Sequence, residues 1–244
     1  MTRFAAPDVL QCPQCNSFVL WARLMSFNNF GFTTQWSDGA GPLARMRDSC
    51  SAICCPACGD VLWRDDLQMV GVLAPEPPPL GRLSRIFASW SGDKQGHLRA
   101  EREWREQPAS WKVAECGRPI NYSDIQRALL VMQPSHDERE LFLRRRMWWA
   151  MNDHLRLRQD GSRVSEVPVA PESARQANML RMIEIHEAAG SAVVERAELL
   201  RQLGRFDDVV RLLTSRDPEA GDNANAASIL KWAKAQNANV KIFS

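Results

Sequence analysis

Two cysteine pairs, Cys12-Pro13-Gln14-Cys15 and Cys55-Pro56-Ala57-Cys58, are the residues best equipped for chemistry in this chain. A two-residue gap lets a tight turn aim both sulfurs at one ion, and two such turns complete a tetrahedral shell of four thiolates. The Pro in each pair presets one turn dihedral, and Gly59 supplies the positive φ that closes such a turn. Four thiolates leave no coordination position for an activated water, so the spacing points to a structural Zn2+ rather than a catalytic one. Iron, which also accepts four thiolates, is the competing metal. Cys54 adjoins a ligand, but using it would break the Cys-Pro-x-Cys-Gly register, which leaves it with Cys50 and Cys116 as a spare thiol.

A second constellation lies on the stretch from Asp137 to about Leu157. Residues placed at helical steps of about 100° put Leu141, Trp148, Met151 and Leu155 on one apolar face, with Phe142 and Trp149 at its edge. Arg145 and Asn152 fall inside that face. A guanidinium between tryptophans needs a carboxylate, a carbonyl or a ligand anion, because an unpaired buried charge costs several kcal/mol. The main expectation is a pairing of Arg145 with an acidic residue of a neighbouring helix, with Asn152 bridging to backbone. The alternative is a ligand or partner pocket floored by Arg145, Trp148, Trp149 and Asn152. Arg144, Arg145 and Arg146 point in three directions on a helix and do not make one phosphate-binding stripe. His186 shares an apolar face with Met179, Met182 and Ile183 and reads as a hydrogen-bonded core residue.

Positioning these groups requires two kinds of element. From Cys12 to about Met69 the pattern is short and β-like, with Phe18-Val19-Leu20-Trp21 after the first pair and Val61-Leu62-Trp63 after the second. The 39 residues between Cys15 and Cys55 leave room for a further hairpin around Phe27 to Trp36 and a turn at Ser37-Asp38-Gly39. Trp21, Trp36 and Trp63 are expected to shield the strands. Ala74-Pro75-Glu76-Pro77-Pro78-Pro79 can continue neither helix nor sheet and reads as a stiff linker. Short helices are expected at Leu83 to Trp90 and Leu98 to Trp104. From Ser123, the expected N-cap of a helix to Met132, the period is helical. Ser135-His136-Asp137-Glu138 has the form of a capping box, and further helices are expected at Glu172 to Ala189, Ala192 to Leu203, Phe206 to Thr214 and Ala226 to Gln236. The domains expected are 1–73 for the β-rich unit, 74–82 for the linker and 83–244 for the helical unit. The fold class is α+β.

The segment Ala197-Glu198-Leu199-Leu200-Arg201-Gln202-Leu203-Gly204-Arg205-Phe206-Asp207-Asp208-Val209-Val210 resembles the middle of a tetratricopeptide repeat, a TPR-like hairpin spanning about 192–214. Val209 stands where that family usually has Ala, and no second copy appears at its period. The paired cysteines, the Arg-x-x-Trp-Trp-Ala-x-Asn-Asp stretch and the Leu-Gly-Arg-Phe-Asp hairpin together resemble bacterial zinc-ribbon proteins. That likeness implies a small zinc-stabilised β unit and carries no activity with it.

Net charge is +2, from 31 basic and 29 acidic side chains, which gives no global attraction to nucleic acid or anionic lipid. Arg45, Arg47 and Arg64 are the local exception. No stretch is long and apolar enough to cross a bilayer, and seven cysteines of which four have metal spacing suit a reducing compartment, so a cytoplasmic protein without membrane contact is expected. Phosphate-loop, dinucleotide and nucleophile-elbow patterns are missing. The expected function is a non-catalytic adaptor that binds another protein. Nucleic-acid binding through the ribbon and an enzyme pocket at Arg145 and Asn152 are the alternatives.

Overall fold

The computed structural model describes residues 3–26, 35–41, 44, 51–77, 94–132, 137–158, 161–215 and 224–243. It is α+β, a β-sheet region carrying the four cysteines followed by a largely helical region. Two compact units form, one from Met1–Asn29 and Arg47–Ile120, the other from Phe30–Met46 and Asn121–Ser244. This division differs from the linear cut at the Pro-rich stretch. Residues 94–120 belong with the sheets, and residues 35–41, from between the cysteine pairs, belong with the helices.

In the sheet unit, β1 (Arg3–Gln11) and β2 (Phe18–Ser26) form an antiparallel hairpin with the first cysteine pair at its tip. Pro7, which has no N–H to give a ladder, falls where the register shifts between Ala5 and Asp8. A second hairpin, β3 (Ala52–Cys54) and β4 (Val61–Trp63), carries the second pair at its tip. β5 (Met69–Val72) joins β1 antiparallel and β6 (Glu115–Cys116) joins β2 parallel, giving the order β5-β1-β2-β6. The core holds Leu10, Val19, Trp21, Ile53, Leu62 and Leu67 together with Cys12 and Cys55. Among the described residues this cluster is small, and in a small core a metal cross-link would add stability. Helix α1 (Lys94–Glu106) contains the expected Leu98 to Trp104 stretch, and the short α2 (Ala109–Lys112) follows it. The linker begins tied down: Ala74 N–H donates to Gln107 Oε1 at 3.2 Å, and Gln107 Nε2 donates to Val72 O at 3.0 Å.

Trp111 lies so close over Gly71 that a Cβ there would overlap its ring. Gly71→Ala is therefore expected to destabilise the metal-loaded sheet unit by about 1–3 kcal/mol, read as a lower denaturation midpoint. An unchanged midpoint would mean that the ring moves aside at no cost.

In the helical unit, α3 (Tyr122–Val131) starts at Asn121 rather than Ser123. Asn121 Oδ1 accepts from Asp124 N and Asp124 Oδ2 accepts from Asn121 N, both at 3.0 Å, a complete capping box. The long helix α4 (Asp137–Asn152) ends earlier than expected, in a 3-10 turn over Asp153–Leu155. Then come α5 (Glu172–Ala189), α6 (Val193–Gln202), α7 (Phe206–Thr214) and α8 (Ala224–Lys234). Gly190 and Gly204, at φ 62° and 75°, end α5 and α6 as expected, since only a residue without Cβ takes this conformation freely. Trp148, Trp149, Met179, Met182, Leu199, Leu200, Val209 and Ile229 form the core. Among the described residues no helix is long and apolar enough to cross a membrane.

Trp36 corrects an expectation: it packs against this helical core rather than shielding the strands, because its segment leaves the sheet unit. The expected hairpin from Phe27, the helix from Leu83 to Trp90, the Ser135-His136 cap, Arg45, Arg47, Cys50 and the linker from Pro78 onward lie outside the described residues.

Candidate metal centre and helical-unit cavity

The two cysteine turns are built alike. In the first, Asn16 N–H donates to Cys12 O and Cys12 N–H donates to Ser17 O, both at 2.9 Å; in the second, Gly59 N–H donates to Cys55 O at 2.9 Å and Cys55 N–H to Asp60 O at 2.8 Å. Each turn is closed four residues after its first cysteine by a left-handed residue, Asn16 at φ 57° and Gly59 at φ 79°. Asn tolerates that region better than other residues with a side chain, so it performs in one turn the role foreseen for Gly in the other.

Cys12, Cys15, Cys55 and Cys58 come together with all four sulfurs within 4.8 Å of one another. Sγ of Cys12 is 3.7 Å from that of Cys58, and Sγ of Cys15 is 3.8 Å from that of Cys55. A tetrahedron with metal–sulfur bonds of about 2.3 Å has edges of about 3.8 Å, so these four residues fit one ion as they stand. Cys12 and Cys55 are buried and Cys15 and Cys58 are exposed, which puts the site at the rim of the core. Burial pushes the Cys12 thiol up, partial desolvation together with the neighbouring thiols of Cys55, Cys15 and Cys12 pushes the exposed Cys58 up to about 12, and the Ser17 hydroxyl, 3.0 Å from Cys15 Sγ, brings Cys15 down to about 6. A bound cation would convert all four to thiolates. Cys54 stays outside the cluster, its thiol directed at Gly59 O at 2.8 Å.

Arg145 meets the expected partner. Its Nε and Nη2 donate to Glu195 Oε1 and Oε2 at 2.6 and 2.7 Å, and His186 Nε2 lies 3.0 Å from Glu195 Oε2 without hydrogen-bond geometry. Arg144 and Arg146 turn elsewhere, Arg144 to Glu140 at 2.6 Å and Arg146 over the Phe142 ring at 6.0 Å, as consecutive helical positions must.

Asn152, wholly buried, differs from expectation by bridging side chains instead of backbone. Its Nδ2 donates to Asp38 Oδ2 at 2.8 Å and to Gln202 Oε1 at 3.1 Å, and its Oδ1 accepts from Arg175 Nη1 at 3.2 Å. Asp38 is the residue that sequence reasoning missed. Its carboxylate pairs with Arg156, itself 0% exposed, and its carbonyl accepts from Trp149 Nε1 at 2.9 Å. Arg156 also pairs with Asp153, donates to Trp149 O at 2.7 Å and stacks over Trp36 at 5.3 Å. The segment is also held by residues 241 and 243 and by α6: Ser37 N–H donates to Lys241 O at 2.6 Å, Phe243 N–H donates to Gln35 O at 3.0 Å, and Ser37 Oγ donates to Glu198 of α6 at 2.6 Å. Residues 35–41 thus form a strap locked into the helical unit. The signal was present as a turn sequence with a charged residue two positions after Trp36, but its partner is 118 positions away.

Over this lock lies a cavity of about 460 Å³. Arg145, Trp148 and Trp149 are among its lining residues, and Asn152 is not. The start of α6, the strap and Phe243 complete its walls.

Glu195 and Glu140 set a pH dependence for this unit. Burial alone would raise Glu195, but the Arg145 hydrogen bonds and His186 outweigh it and hold the carboxyl at about 2. Arg181, and against a smaller burial cost Arg144, hold the buried Glu140 at about 2. Both values are depressed from 4.5, so the stability they contribute is complete above about pH 4.5 and disappears as pH falls toward 2. Glu195→Gln is expected to flatten the acid limb of helical-unit denaturation between about pH 4.5 and 2. An unchanged limb would show that the pair adds nothing.

Comparison of the chain with protein-family models, with curated proteins and with solved structures gives no match.

Proposed function

We propose that the protein is a non-catalytic adaptor whose sheet unit is held by structural Zn2+ and which acts by binding another protein. The observation that carries this reading is the closed four-thiolate geometry, with sulfur separations of 3.7 and 3.8 Å that fit one tetrahedral ion and leave no coordination position for substrate. Zn2+ is favoured over iron because it needs no redox partner and is the usual occupant of such structural turns. The helical hairpin of α6 and α7, with its TPR-like sequence, is read as a partner-facing element. Phe4 and Met25, 62% and 71% exposed near the open end of the β1–β2 hairpin, are candidate contacts on the sheet unit.

The alternatives find less support. Arg64 donates to Asp8 at 3.1 Å and lies 6.0 Å from the Trp21 ring, so its charge is already engaged rather than presented to phosphate. Arg145 and Asn152 are committed to Glu195, Asp38 and Gln202.

Affinity capture with the full-length, zinc-loaded chain, with and without nuclease, tests the reading when followed by reconstitution with the purified partner. A saturable one-to-one complex that survives nuclease and weakens with Phe4→Ser or with a substitution on α7 supports it. Capture of nucleic acid instead, or failure of every candidate to reconstitute, overturns it. Elemental analysis decides between zinc and iron.

A further inference from the structure

We propose that the cavity of the helical unit is a binding site for a small uncharged aromatic molecule carrying one hydrogen-bond donor, a phenol being the simplest member of the class. This goes beyond the adaptor reading and does not depend on it. At about 460 Å³ the space lies within the range that small ligands occupy. Its floor is aromatic: Trp148 Nε1 donates to Gln202 and Trp149 Nε1 donates to Asp38 O, so both indole donors are spent inside the protein and the rings offer only carbon to the space above. Phe243 and the side chains of Val193 and Val194 extend this apolar lining.

The charges of the wall argue for a neutral ligand. Glu195 is neutralised by Arg145 in a two-point pair, and Asp38 by Arg156. An added anion or cation would enter without a counter-charge and pay its desolvation unrelieved. What the wall does offer is acceptance. Glu195 Oε1 takes a single hydrogen bond, from Arg145 Nε at 2.6 Å, and a carboxylate oxygen accommodates two. Arg145 and His186 keep that carboxylate ionised, hence acceptor-only, across neutral pH. A hydroxyl or ring N–H on an aromatic body matches this acceptor beside the two indole rings. The wall is also conformationally set: Ala192, at φ 52° and ψ 49°, holds a left-handed turn that costs a residue with a Cβ about 1 kcal/mol and starts α6 with Val193 and Val194 beside the cavity.

The test is fluorine NMR of 4-fluorophenol titrated with the full-length, metal-loaded protein. Saturable broadening with a dissociation constant on the order of 1 mM is expected for so small a probe, with displacement by p-cresol. Toluene, lacking the donor, should compete about fivefold less well, and benzoate less well again. Val193→Trp, which fills the space, should weaken binding by about tenfold or more. Should that variant misfold, intermolecular NOEs from p-cresol ring protons to the Val193 and Val194 methyls of the wild-type chain locate the site without it. No saturable binding, benzoate binding as well as p-cresol, or NOEs to other methyls would each overturn the proposal.

Discussion

Stripping the metal from Cys12, Cys15, Cys55 and Cys58 should unfold the sheet unit and leave the helical unit standing. The two hairpins carry their cysteines at their tips, and among the described residues the apolar cluster they share is small. Zinc binding in small metal domains contributes about 10–16 kcal/mol, comparable to or larger than the whole stability of an ordinary domain, about 5–15 kcal/mol. Without the ion, four thiols of which two are buried replace a tetrahedral cross-link. In practice, chelator treatment at neutral pH should abolish the dispersed strand resonances and preserve most far-ultraviolet helical signal, and Cys55→Ser should do the same without chelator. A metal-free protein, verified by elemental analysis, whose strand resonances persist and melt cooperatively would show that packing alone suffices.

Breaking the Asp38 lock should be the most damaging single change in the helical unit. Asp38→Ala leaves Arg156 without its buried counter-charge and removes an acceptor from Asn152. Removing one member of a buried pair costs about 3–5 kcal/mol. Asp38→Asn keeps one carbonyl acceptor and should fall between the two. The readout is chemical denaturation followed by tryptophan fluorescence, with the chelator-sensitive transition as the internal control because it reports the other unit. A loss under about 1 kcal/mol would mean that Asp153 and Trp149 O satisfy Arg156 unaided, and the lock would then be ornamental.

What was legible in the sequence was local. Two cysteines three positions apart, next to Pro, define a turn by themselves, and Gly190 and Gly204 stop their helices through backbone freedom alone. The need of Arg145 for an acid was legible from its place among apolar side chains, but the identity of Glu195 was not, because only the packing of α4 against α6 and its neighbours sets that distance. The cap of α3 went to Asn121 rather than Ser123 for a similar reason: both types cap well, and the choice rests on where Asp124 can reach back. Asp38 was illegible because a Ser-Asp-Gly turn is an ordinary surface signal, and nothing in 35–41 says that the turn will be buried against residues near position 150. The domain cut at the prolines failed to capture this excursion, since composition marks where a chain is stiff and not where a segment will pack.

The strap also has consequences for the order in which the protein can be made. On the ribosome both cysteine turns emerge early, and the sheet unit's last described strand is complete by Cys116. The strap, synthesised between those turns, must wait for Arg156 and then for Lys241 and Phe243, whose backbones pair with Ser37 and Gln35. At about 5–20 residues per second, the 118 positions to Arg156 correspond to about 6–24 s before Asp38 meets its ion-pair partner, and the roughly two hundred to Lys241 and Phe243 to about 10–40 s before the strap backbone is paired. Fastening of the strap therefore trails completion of the sheet unit, and a product cut before Lys241 would carry a finished sheet unit and a strap without these backbone partners.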